Sequence, residues 1–409
     1  MAGRGGRQHE GPANRVPSRA PDGFGTLRLV IACGVIGFHA MPITGDYDGW
    51  GWGQHWYHYG TLTVAAFMAM SGFFVMKTWE RDPNLVRYWT RRLLRILPGL
   101  LAVILVSVFV LGPLVTTQSA GEYFGDSRTW SFIWHNLLLF PQQYDLPGVF
   151  TDNAYPVAIN GSLWCLPVEV LGYALVTVVG LLGINRRRYL IFAIAIPFAA
   201  LLVLRVNDVI ELPDTMLLLL TNPLLQYLAI YAMGIATWLY RDKIPLSWWG
   251  VLACVLIEFF VYPSPVADIT RALTVPYAIL TIGTKLPRFL CLPNWLTVAS
   301  FGVFLYGFPV EQTLAWLGAD QPWEVIGAGV PIALVLGLAS WHLVEKHGLR
   351  LRTSLTEVPA RPSADIATDI ATDVATEVIP AVRMSEAPTI ELPVFQQAAP
   401  QVSGQPPTR

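Results

Sequence analysis

Charge is scarce in this chain of 409 residues: Asp, Glu, Lys and Arg make up 13% of it, while 54% is hydrophobic. A soluble domain carries about 25% charged residues, so a water-soluble globule is excluded and an integral membrane protein is expected. The net charge of -1 says nothing about nucleic acid, and no basic tract suggests such a partner. Cysteine is sparse too. Cys33, Cys165, Cys254 and Cys291 form no CxxC pair, so neither a zinc site nor a redox motif is supported, and no metal is expected. Neither a Walker loop nor a GxGxxG is present, which removes nucleotide hydrolysis and a Rossmann cofactor.

What the chain has instead is long apolar runs. About ten reach spanning length, near 25–44, 60–79, 95–116, 163–183, 188–205, 217–240, 246–262, 267–284, 296–317 and 324–345. The expected fold is therefore an all-α polytopic membrane protein of about ten transmembrane helices. Residues 23–350 form the membrane domain, behind a flexible basic leader over 1–22 that is read as uncleaved. From Ser354 the apolar runs stop, and a four-residue repeat beginning Ala364-Asp365-Ile366-Ala367-Thr368 gives way to Pro-rich sequence. That composition predicts a disordered, low-complexity cytoplasmic tail over 351–409. Basic residues alternate between connections. Arg4, Arg7, Arg15 and Arg19 precede the first run, Arg81, Arg87, Arg91, Arg92 and Arg95 cluster after the second, and Arg186, Arg187 and Arg188 follow the fourth. The odd connections hold only Arg128 and Arg205. The positive-inside rule then puts both termini in the cytoplasm.

Against this background a few intramembrane polar residues stand out. His39 lies eleven residues after Arg28 in the first run, almost on the same helix face and about 16 Å away along the axis. An imidazole at that depth needs a partner or a task. Glu169 in the fourth run is a candidate partner, and a His39–Glu169 contact would orient the ring as a general base. An interhelical polar staple without chemistry fits these residue types equally well. Glu258 and Glu311 are further acidic residues in apolar runs, with no evident partner in the sequence. Arg92 and Arg95, three apart on one helix face with Arg91 adjacent, read either as positive-inside topology or as a clamp for a phosphorylated cytosolic cofactor. Trp52 and Trp56, in the aromatic stretch Asp46–Tyr59, read either as an interfacial belt or as a sugar-stacking platform. The connection from about Val115 to Gly161 is the longest, and within it Trp130–Phe140 is too short to span.

Taken in order, these segments resemble the acyltransferase-3 family of bacterial membrane O-acyltransferases over most of residues 23–350. Arg28 and His39 match the family's Arg, ten residues, His pattern, and Arg92-Leu93-Leu94-Arg95 its Arg-x-x-Arg segment. Ser162-Leu163-Trp164-Cys165-Leu166-Pro167-Val168-Glu169 resembles its Ser-Leu-Trp-x-Leu-x-x-Glu motif, and Ser300–Tyr306 and Ser340–Lys346 its late motifs. The late segments depart from the family in having Gly307 and Phe308 before Pro309, and His347 where a proline is common.

The resemblance implies transfer of an acyl group, most often acetyl, from cytosolic acyl-CoA, with no tightly bound cofactor. The acceptor would be a hydroxyl of a cell-envelope glycan, glycolipid or natural product at the bacterial cytoplasmic membrane. It implies His39 and Glu169 as catalytic residues, Arg28, Arg91, Arg92 and Arg95 as the donor site, and Ser162, Trp164, Trp52 and Trp56 as the acceptor site. Either direct attack or an acyl-histidine intermediate satisfies it. A proton-coupled transporter or a lipid carrier without chemistry is the competing class. The sequence shows no two-half repeat of the kind common in carriers.

Overall fold

The computed structural model describes residues 23–47, 54–197, 201, 222–262, 264 and 266–350. The expectations for the leader, for the tail and for Trp52 lie outside the described residues. Among the described residues the protein is all-helical with no strand, and two isolated bridges, Thr116–Val149 and Asp145–Ala158, tie the longest connection.

The chain forms α1 (Gly23–Ile43), α2 (Gln54–Arg81) and α3 (Leu85–Val106). A π-turn (Ser107–Leu111) and a last turn (Gly112–Val115) extend α3. Short helices α4 (Ala120–Gly125) and α5 (Ser127–Leu137) follow. A 3₁₀ turn over Gly161–Trp164 leads into α6 (Cys165–Leu181). Then come α7 (Asn222–Leu239), α8 (Trp248–Val261), α9 (Ala267–Lys285), α10 (Ser300–Trp316) and α11 (Pro322–Ser340), the last continued by a π-turn over Trp341–Glu345.

Each apolar run carries helix within its described residues, the fifth over Arg188–Pro197, but among the described residues only five helical stretches are long and apolar enough to cross a membrane: Gly23–Ile43, Tyr59–Arg81, Leu85–Val115, Gly161–Leu181 and Pro322–Arg350. The others fall short for physical reasons. The 14 residues of α8 reach about 21 Å against a hydrocarbon core of about 30 Å, and α9 carries Asp268 and Arg271 near its start. Cys33, Cys165, Cys254 and Cys291 are all free thiols.

Helix starts follow local chemistry. The Asn84 side chain accepts from the Arg87 amide at 2.9 Å and caps α3, and Ser119 and Glu122 form a reciprocal capping box on α4. Small residues set the close approaches, as expected where lipid supplies no hydrophobic drive between helices. Gly72 of α2 abuts the Tyr231 carbonyl of α7, and Gly234 abuts the Ala69 carbonyl in return. Leucine at position 72 should therefore push α2 and α7 apart. We expect Gly72→Leu to destabilise the fold by about 1–3 kcal/mol, read as a lowered unfolding midpoint in detergent; an unchanged midpoint would show that this seam yields.

Candidate functional site

Two polar centres lie inside the bundle. The first is His39. Apolar packing by Val35, Ile36 and Phe38 helps to bury α1 without a break from Phe38 to Ile43, and His39 with it. Its Nδ1 lies 3.3 Å from Oε2 of Glu311 on α10, itself fully buried. Gly307 lets α10 close on Ile36, and Gly329 of α11 faces Ile36 and Glu311 at ordinary contact distance. The Phe308 ring meets the imidazole edge-on, centroids 5.1 Å apart. The pair is within ion-pair distance but not hydrogen-bonded: Nδ1 and both Glu311 carboxyl oxygens have no hydrogen-bond partner among the described residues, and closing that gap would select the tautomer protonated at Nδ1 and leave Nε2 as the basic nitrogen. No hydrogen-bond partner holds Nε2 among the described residues.

The long connection folds over this centre. Gln312, next to Glu311, donates to the carbonyls of Tyr155 (2.9 Å) and Ala158 (2.8 Å) and accepts from Asn153 at 2.9 Å. Asn160 donates to the Leu305 carbonyl at 2.9 Å. Leu139, Phe150 and Val157 adopt φ of 66°, 52° and 62°. Left-handed backbone at non-glycine residues costs roughly 1–3 kcal/mol each and persists where the surroundings over-determine it. Here the Val157 amide donates to the Phe150 carbonyl, and Ile159 to that of Tyr144.

The second centre surrounds Glu169 on α6. Its Oε1 accepts from Ser71 Oγ of α2 at 2.5 Å, and it lies within electrostatic reach of Arg92. The Arg92 guanidinium bonds the Thr78 hydroxyl and sits over the rings of Tyr88 and Tyr173, 5.8 and 5.7 Å from their centroids.

The expected His39–Glu169 contact is therefore not made, and Glu311 takes the place beside the imidazole. The reason is depth. Gly161, at the start of the same helical segment, packs on Phe308 and so lies level with His39. Glu169 is eight residues further, about 12 Å along the axis. Sequence reasoning passed over Glu311 because its only signal, an acidic residue in an apolar run, is the one Glu169 also carries.

The three arginines also part company. Arg95 turns inward to Glu345 (3.3 Å), over the Phe301 ring at 4.9 Å, and Ser340 donates to the same Glu345 at 2.8 Å. The π-turn at the end of α11 presents Glu345 to this contact. Arg91 instead joins Asp82 at 3.0 Å, alongside Arg87. The Arg87 hydrogen bond, with the nearby Arg91 charge, holds the Asp82 carboxyl below the usual range. Arg28 is buried in α1. Ser162 is buried with its amide bonded to Asn160 Oδ1 (3.2 Å), and Trp164 packs near Tyr227 at 5.7 Å between centroids. Trp56 lies on the first turn of α2, and its side chain is outside the described residues. Glu258 of α8, like Glu311, has partners after all: the Thr274 hydroxyl at 2.5 Å and Arg271 at 3.9 Å. Among the described residues no three His, Cys, Asp or Glu side chains converge on a metal site.

A bundle of apolar helices with polar pairs sealed inside it is that of an integral membrane protein. The acyltransferase-3 family, described as an acyltransferase domain, matches residues 22–342, and the chain belongs to that family. It is 28% identical to nodulation protein 10 of Rhizobium leguminosarum bv. viciae over 391 residues, covering 84% of this chain and 98% of that one. It is 26% identical to the O-acetyl transferase of Shigella phage Sf6 over 334 residues, covering 80% and 95%. No solved structure matches the chain. The protein is a membrane O-acyltransferase.

Proposed function

We propose that the protein moves an acetyl group from cytosolic acetyl-CoA to a hydroxyl of a cell-envelope glycan, glycolipid or natural product, with His39 as general base. The observation that carries this reading is the buried His39–Glu311 pair with Nε2 left available. In the step, Nε2 takes the proton of the acceptor hydroxyl as its oxygen attacks the thioester carbonyl. The tetrahedral intermediate collapses, the C–S bond breaks, and the imidazolium returns the proton to the departing thiolate. Glu311 holds the ring and stabilises its transient charge. Glu169 belongs to the other centre, where it balances Arg92 on the donor side.

The same reading runs the chain through a bacterial cytoplasmic membrane about ten times with both termini inside, supported by the alternation of basic residues. Donor phosphates then meet Arg28, Arg91 and Arg92 from the cytoplasm, and the acceptor reaches His39 beneath the opposite connection, with Ser162 and Trp164 beside it and Trp52 and Trp56 towards the outer surface. The kinship with a protein named O-acetyl transferase supports acetyl as the group.

Mass spectrometry of envelope glycans, lipids and secreted products from cells with and without the protein tests the reading. A mass of one acetyl group that disappears with the gene, and stays missing with a His39→Ala copy, is the expected result. Unchanged acyl esters in every fraction would overturn it. Glu311→Gln keeps the shape but removes the charge opposite imidazolium, so the transfer rate should fall about 10- to 100-fold, as for one charge-assisted hydrogen bond. An unchanged rate in purified protein would take Glu311 out of the mechanism.

A further inference from the structure

Proline interrupts two of the helices that build the site, and both interruptions are answered from one segment. Pro309 lies inside α10 and brings no N–H, so the carbonyl of Leu305, four residues back, loses its helical donor. Pro167 lies in the first turn of α6, and the carbonyl it would have served is that of Leu163, in the 3₁₀ turn before it. Inside an apolar bundle a freed carbonyl needs a donor from a neighbour. The long connection supplies both. Asn160 Nδ2 donates to the Leu305 carbonyl at 2.9 Å, and Gln142 Nε2 donates to that of Leu163 at 2.6 Å.

Asn160 has the greater consequence because of what its target carries. It is 1% exposed, and both ends of its amide are engaged. Its Oδ1 accepts from the Ser162 amide at 3.2 Å, opening the turn into α6, while Nδ2 reaches across to α10. Leu305, Phe308 and Gln312 recur at spacings that place them on one face of α10. The long connection grips that face on both sides of the proline. Asn160 holds it at Leu305, and Asn153, Tyr155 and Ala158 hold it at Gln312. Phe308 and Glu311 lie between the two grips, and these are the residues of α10 that meet His39. The Glu311 carboxylate stands 3.3 Å from Nδ1 without a hydrogen bond. A small change in the bend of α10 therefore decides whether that bond forms.

We propose that Asn160 is a positioning residue for the transfer: by supplying the donor that Pro309 lacks, it fixes the path of α10 and so the place of Glu311 beside His39. The proposal rests on the His39–Glu311 reading above and goes beyond it. Gln142 performs the same service for α6, a helix that does not carry Glu311, and is the control.

Nitrogen-15 NMR of the full-length protein in detergent, labelled at histidine, reads the tautomer of His39, whose signal is identified by its loss in His39→Gln. Asn160→Ser keeps an oxygen to cap the Ser162 amide and removes the N–H that reaches Leu305. The ratio of the Nδ1-protonated to the Nε2-protonated form should then fall about 3- to 10-fold, the worth of one hydrogen bond. Gln142→Ala, which strips the matching bond from α6, should leave that ratio alone. In a Pro309→Ala background residue 309 brings its own N–H. Asn160→Ser should therefore lower the unfolding midpoint less there than in the wild type, a non-additivity that unconnected changes do not show. An unchanged ratio in Asn160→Ser, an equal fall in Gln142→Ala, or full additivity with Pro309→Ala would each overturn the proposal and leave the His39–Glu311 pair standing. A wild type that holds His39 protonated at Nε2 would sink the pair and the proposal together.

Discussion

His39→Ala is expected to lower acyl transfer, measured per amount of folded protein, about 10²- to 10⁴-fold, the range a positioned general base supplies. The separation of activity from folding is the informative part. His39 is fully buried and its ring packs against Phe308, so truncation removes packing as well as a base. The same truncation also leaves the Glu311 carboxylate buried without its partner, a destabilising state. The single variant is therefore to be read beside His39→Gln, which fills much of the space and can still donate to Glu311 but cannot accept a proton in the reaction. Both should be inactive, and His39→Gln should hold the wild-type unfolding midpoint more closely. Transfer that persists in His39→Gln would remove acid–base work from His39 and leave the pair as an interhelical staple. An isotopically labelled acyl group trapped on His39 in the wild type would instead establish the two-step route.

How far the sequence carries one towards this site is clear from two carboxylates. Apolar run length alone gives α1, α2, α3, α6 and α11, because spanning helices are written in 20-residue stretches that need no tertiary context. The family's motifs place His39, Arg92 and Ser162 on the elements where they are found. Partner choice is another matter. Glu169 and Glu311 present the same signal, an acid in an apolar helix, and which one meets His39 depends on the depth at which α6 and α10 pass α1. That depth is fixed by contacts such as Gly161 on Phe308 and Gly307 on Ile36, between segments distant in sequence. The arginine triplet shows a subtler limit. Spacing correctly puts Arg92 and Arg95 on one face, yet α3 delivers them to different neighbours, one to Tyr88 and Tyr173 and the other to Glu345.

That divergence leads to the second large effect. Arg95 and Glu345 are each about 1% exposed at the side chain and lie 3.3 Å apart. Removing one member of such a pair strands a charge in an apolar interior, at a cost of about 3–5 kcal/mol. Arg95→Ala and Glu345→Ala should therefore each lower the unfolding midpoint strongly, and the expression of folded protein with it. Replacing both, as Arg95→Met with Glu345→Met, removes the pair without leaving a charge behind and should recover most of the loss, since a buried ion pair is worth little against well-packed apolar groups. Arg91→Ala is the control. Its side chain is 22% exposed, and Arg87 still holds Asp82 after it is gone, so its effect on stability should stay within about 1 kcal/mol. The double variant is the decisive one for function. If Arg95 serves the bundle, Arg95→Met/Glu345→Met will bind CoA as the wild type does. If it clamps a phosphate, the double variant will be stable and yet weak for CoA and for adenosine 3′,5′-bisphosphate alike, and the guanidinium would then have to leave Glu345 whenever the donor arrives.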